Sequence, residues 1–293
     1  MRPEVLADSI ARAIIDTADD FAVLISDMQE IIYNKLLIQL KNLDLDADGY
    51  IRQTGANREV LAKAEGVVSE YLPGTKLNAA ASEALSVIPT IDSLNNEYFS
   101  SISNSFKENR IFIRRLQQQT IQSIESNILG DGLNAQVKMP LVNILNRNVN
   151  AGGQLQGFLQ EVRTYVEGTE RLDGRLLSYS RGFLRDALFQ YSRGFQEAMT
   201  NDLKLEFYLY AGGLQDTSRE FCVERAGNYY HRKEIESWAD LTWRGKNPLT
   251  TSSSIFVFVA GYNCSHELVP VHILIVPKDV IDRNIENGNY KPS

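Results

Sequence analysis

Leu205-Glu206-Phe207-Tyr208-Leu209-Tyr210 is where the chain changes period. Its alternation and its aromatic content predict a strand, because side chains on extended backbone point to opposite faces in turn. Two further runs follow. Ile255-Phe256-Val257-Phe258-Val259 is continuous in β-branched and aromatic residues, and Leu268 to Val276 is apolar with proline at its ends. Helix-like stretches from Ser218 to Gly227 and from Lys233 to Leu241 separate the first two runs. The expectation is an α+β fold: a long, mainly α-helical N-terminal body, then a small C-terminal α+β domain with an antiparallel sheet.

Upstream of Leu205 the spacing is helical throughout. Ile10, Ile14, Phe21, Ile25, Ile32, Leu36 and Leu40 form a stripe three and four residues apart. A second helix is predicted from near Asn57 through Leu61, Ala64 and Val68 to the stop signal Leu72-Pro73-Gly74. Residues 1–75 therefore read as a helical hairpin and residues 76–202 as an extended helical region. The remainder, 203–293, reads as the α+β domain. In the middle region Phe99, Phe106, Ile113 and Ile124 are diluted by Ser, Asn and Gln, which suits helices that rely on partners for part of their burial. Leu184, Leu188, Tyr191, Phe195 and Met199 make a packing seam, with Arg171, Arg175, Arg181, Arg185 and Arg193 read as a solvated basic face.

Composition narrows the function classes. A hydrophobic content of 43% over 293 residues supports a sizeable core, and the net charge of -7 disfavours general binding to nucleic acid. The first residues lack the order of a signal peptide, and no apolar run approaches the roughly 20 residues of a membrane span, so folding in a cytoplasm is expected. Two cysteines are too few for a disulfide scaffold.

Asp44-Leu45-Asp46-Ala47-Asp48-Gly49-Tyr50-Ile51 matches the start of a calcium-binding EF-hand loop, but Arg52 and Gly55 stand where two oxygen donors belong. An acidic turn between helices is the expected role. Cys264 and His266, two apart, share a face if the backbone is extended, and Cys222 and His231 are the candidates to complete a tetrahedral zinc site. The alternative is a buried cysteine beside a hydrogen-bonded histidine, so no cofactor is expected other than zinc at these four residues. Thr250-Thr251-Ser252-Ser253-Ser254 and Glu234-Ile235-Glu236 contain the elements of an ADP-ribosyltransferase site in reversed order.

Asp216-Thr217-Ser218-Arg219-Glu220-Phe221-Cys222, then Arg225, Gly227 and Glu236-Ser237-Trp238, and above all Gly261-Tyr262-Asn263-Cys264-Ser265-His266 running into Leu268-Val269-Pro270-Val271, resemble the C-terminal domain of tailed-bacteriophage minor head proteins. This is the Mu F-like, or head-morphogenesis, family. The resemblance covers roughly the last third of the chain, and its signature falls on Asp216, Arg219, Cys222, Gly261, Tyr262, Asn263, Cys264 and His266. The family often has a basic residue where this chain has Ser265.

The resemblance implies a non-enzymatic virion protein, present in several copies on the portal or the inner head wall and in some cases ejected with the genome. Its implied partners are portal or capsid proteins, with packaged DNA nearby but not read by sequence, and no membrane. The residues also leave open a head-carried ADP-ribosyltransferase or nuclease-like toxin module, and a cytoplasmic helical adaptor.

Overall fold

In the computed structural model residues 1–72 and 74–292 are described; Pro73, part of the expected helix stop, lies outside them. Helices α1 (Pro3–Leu40), α2 (Gly55–Tyr71), α3 (Thr75–Leu85), α4 (Ile88–Ile102), α5 (Arg110–Ile124), α6 (Asp131–Leu133), α7 (Met139–Asn150) and α8 (Leu155–Val166) come first. A ribbon of β1 (Gly168–Thr169) and β2 (Leu172–Asp173) leads into α9 (Arg175–Leu203). Then come β3 (Phe207–Ala211), α10 (Glu220–Val223), β4 (Tyr229–His231), α11 (Arg232–Ser237), α12 (Ile255–Phe258), β5 (Glu267–Val271) and α13 (Lys278–Glu286). The long helices and the small antiparallel sheet make this an α+β fold, as the change of period at Leu205 predicts. Among the described residues no helix is long and apolar enough to cross a membrane.

The chain divides into two compact units, neither continuous in sequence. One is Met1–Asp16, Ser86–Thr120 and Arg185–Ser293; the other is Thr17–Leu85 and Ile121–Leu184. The expected boundaries at residues 75 and 202 do not coincide with this division. The reason is visible in the first unit, where segments of the supposedly separate helical region belong to the core around the sheet. Phe99 of α4 stacks on Phe195 of α9 with ring centroids 6.4 Å apart, and the Tyr98 hydroxyl donates to the Pro270 carbonyl at 2.5 Å. Burying such aromatic side chains contributes about 1.5–3 kcal/mol each.

In the other unit, α2 packs along α7. Thr54 caps α2 by accepting the Asn57 N–H at 3.2 Å. Asn57 is buried and closes the acidic loop: it accepts from the Asp44 N–H at 2.7 Å and donates to the Asp44 and Arg52 carbonyls at 2.9 and 2.6 Å. Asp46 accepts the N–H groups of Asp48 and Tyr50, a local turn that occupies its carboxylate.

The sheet has the order β4-β3-β5 and is antiparallel at both junctions. Phe207 lies opposite His231 on one side and Val271 on the other. Every residue of β3 and β5 is buried, while the third strand is the short Tyr229–His231. The run Ile255–Val259, expected as a strand, is instead the helix α12 followed by Val259 at φ 46°. Thr251 and Ser254 start that helix by hydrogen-bonding reciprocally, each backbone N–H to the other's hydroxyl at 2.8 and 3.2 Å. A short, wholly apolar run carries no usable period, so its neighbours decide the conformation.

Candidate functional site

The sheet, α10, α11 and α12 enclose a core that includes Tyr210, Phe221, Trp238, Ile255, Cys222 and Cys264. Cys222 reaches this core from α10, whose first turn is set by the Cys222 N–H bonding the Arg219 carbonyl at 2.8 Å. Cys264 and His266 come from the segment that enters β5. They were expected on an extended strand, but lie just before it, after a tight turn through Gly261 and Asn263 at φ 91° and 56°. The side chains nonetheless converge.

The sulfur atoms of Cys222 and Cys264 and a ring nitrogen of His266 all lie within 4.8 Å of one another, in residues that are each buried. Cys264 Sγ and His266 Nδ1 are 3.8 Å apart, and the Tyr210 hydroxyl donates to Cys222 Sγ at 3.4 Å. The Tyr210 ring lies against His266, with centroids 5.2 Å apart. Gly212 makes this approach feasible: a Cβ there would sit 3.1 Å from both Cα and Cδ2 of His266.

His231, the fourth expected ligand, is elsewhere. Its Nδ1 accepts the Lys233 N–H at 3.2 Å, capping α11, and its ring meets Phe207 edge-on at 5.1 Å. It follows β3 by pairing in β4, which directs it away from Cys222 and Cys264.

The electrostatics of the cluster follow from its contacts. The Cys222 thiol is pushed up by its hydrogen bond to Cys264 and by burial. Cys264 is driven well below the ordinary thiol value, first by the hydrogen bond from Cys222, with His266 and the Arg193 charge acting the same way against burial. Next to it Glu267 is fully buried, and that burial raises its pKa to about 8 despite Arg193 nearby. Its carboxylate is 3.9 Å from Arg193 Nε, too far for a hydrogen bond.

Arg193 is the residue that sequence reasoning misplaced. Instead of facing solvent it is 3% exposed and donates to the carbonyls of Cys264 at 2.6 Å, His266 at 2.8 Å and Val257 at 3.3 Å. It thus ties α9 to the backbone on both sides of the cluster, while stacking over Phe189 at 5.1 Å. Ser180, Ser192 and Thr200 of the same helix are likewise fully buried polar residues.

Of the rest of the signature, Asp216, Arg219, Tyr262 and Asn263 line a cleft of about 1220 Å³ that the cluster also lines. Arg219 donates to the Tyr262 carbonyl, and the Asn263 N–H donates to Asp186 at 2.7 Å. The Tyr262 N–H donates to the Gly245 carbonyl at 3.0 Å, and Trp243 Nε1 to the Ala260 carbonyl at 2.8 Å. Gly261 is obligatory in this turn, since a Cβ would fall 2.0 Å from the Gly245 carbonyl oxygen. Asp216 is exposed at the rim. In the acidic pair of the transferase reading Glu234 is structural: it accepts the His231 N–H at 2.8 Å and Arg283 and Asn284 side chains at 3.0 Å. Chemically, two thiols and an imidazole in this arrangement suit a shared thiol-thiolate proton, a disulfide or a soft metal ion.

Comparison of the chain with family models, curated proteins and solved structures found no match.

Proposed function

We propose that this chain is a structural minor head protein of a tailed phage, associated with the portal or the inner head wall during assembly. The observation that carries the reading is the convergence of the two halves of the head-protein signature. Asp216 to Cys222 and Gly261 to His266 are separated by the whole 223–260 segment, yet Asp216 to Cys222 and Tyr262 to His266 line one cleft and share the Arg219 to Tyr262 bond and the thiol-thiol-imidazole cluster. The role of these residues is bracing. Arg219 holds the Tyr262 carbonyl, the Tyr262 N–H holds the Gly245 carbonyl, and Cys222, Cys264 and His266 line the cleft at only 2–4% exposure.

The partners are portal or capsid proteins, with packaged DNA close by but not bound by sequence. Expression of the tagged full-length chain during infection, followed by nuclease treatment and gradient purification of heads, tests this. The chain is expected to sediment with heads at a reproducible copy number. Recovery only in the soluble fraction, or catalytic turnover abolished by changing Cys264 or His266, contradicts it.

A further inference from the structure

We propose that Cys222, Cys264 and His266 form a zinc site with two thiolates and one imidazole, and that its fourth coordination position faces the cleft and is filled by solvent. This stands on local geometry and does not depend on the head-protein reading.

Distances come first. A tetrahedral zinc ion with Zn–S of about 2.3 Å and Zn–N of about 2.0–2.1 Å holds its ligand atoms roughly 3.5–3.8 Å apart. The separation of Cys264 Sγ from His266 Nδ1 is 3.8 Å, and no pair in the trio exceeds 4.8 Å. Small rotamer adjustments close the set.

Charge and softness agree with zinc. Thiolate and imidazole donors select it over the hard cations that prefer oxygen. Two thiolates, a neutral imidazole and a divalent ion sum to zero, so the core gains no uncompensated charge. Among the described residues His266 Nδ1 has no side-chain hydrogen-bond partner other than Cys264 Sγ at 3.8 Å, so this ring nitrogen is available to an ion held between the two sulfur atoms. The histidine is held in place by the tilted Tyr210 ring against it and by Arg193 on its carbonyl.

The surroundings resemble the supporting shell of a metal site. The Tyr210 hydroxyl reaches Cys222 Sγ, and Arg193 fixes the carbonyls of Cys264 and His266 themselves. Among the described residues the group has three members, and all three line the cleft. Three protein ligands beside open space are the arrangement in which zinc retains an exchangeable fourth ligand.

The test uses the full chain purified from zinc-supplemented medium without chelator. Elemental analysis is expected to find stoichiometric zinc, and X-ray absorption to find two sulfur neighbours at about 2.3 Å with lighter atoms completing the shell. Metal-free protein, or mass spectrometry showing a Cys222–Cys264 disulfide in the native chain, overturns the site. Because Cys264 is buried in the core and Cys264→Ser perturbs folding as well as binding, the wild-type chain is stripped and titrated with Co(II), and His266→Gln is measured in parallel. Tetrahedral cobalt bands with thiolate charge transfer that weaken in His266→Gln are expected; an octahedral spectrum overturns the assignment. Added azide is expected to shift the cobalt bands, and an unresponsive spectrum overturns the cleft-facing fourth position.

Discussion

Replacing Arg193 with methionine keeps the aliphatic stem and removes the guanidinium. The carbonyls of Cys264 and His266, bonded at 2.6 and 2.8 Å, then lose their donor inside the core. Each buried group left unsatisfied costs about 1–3 kcal/mol, and removing one partner from a buried charged arrangement costs about 3–5 kcal/mol, so a loss of about 3–5 kcal/mol is expected. The chain's only tryptophans, Trp238 and Trp243, both lie in the same compact unit as Arg193, so their fluorescence during urea unfolding follows that unit. Arg283→Met is the control. Its pair with Glu234 at 3.0 Å is half exposed on the arginine side, and such a pair contributes about 0–1 kcal/mol. A loss in Arg193→Met no larger than that in Arg283→Met would refute the view that this arginine braces the cluster.

Gly261→Ala is expected to destabilise the same unit by more than about 1 kcal/mol, because φ is 91° and the new Cβ meets backbone, whereas Gly213→Ala, with nothing within 4 Å, shifts the urea midpoint little. Asn57→Ala opens the 44–52 loop at a cost of about 1–3 kcal/mol by circular dichroism melting, and adding calcium does not restore it. Burial raises the Asp92 pKa against the hydrogen bonds from Tyr191 and Gln117. The folded state therefore keeps the proton above the usual aspartate value of about 4, and stability is lost as pH rises from there through the folded pKa. Asp92→Asn should gain relative to wild type across that window in paired denaturation curves, and a relative loss would show the sign to be wrong.

The sequence made the α+β division legible because Leu205 to Tyr210 alternates beside long helical stripes. The candidate site was legible in part. Cys222, Cys264 and His266 are rare residue types concentrated in one segment, and three of the four expected ligands meet. His231 was misjudged because residue type and proximity in sequence say nothing about which side of β3 a strand pairs on. Arg193 was misread because a charged residue on an amphipathic helix is usually solvated, and only the carbonyls of a distant segment reveal its role. The discontinuous units were not readable at all: Phe99 carries no mark that its partner is Phe195. Ile255 to Val259 shows the same limit for local structure, since an apolar run with no polar interruption fits a buried helix as well as a strand.

The proposal that this chain is a head protein is tested most directly by electron cryomicroscopy of phage heads assembled in cells that express it, reconstructed without imposed symmetry at the portal vertex. The account predicts density at the portal or the inner head wall into which the sheet-containing unit, with Arg193 and the cysteine-histidine cluster in its core, fits as a body. Complete, infectious heads that lack this density and this polypeptide would contradict it.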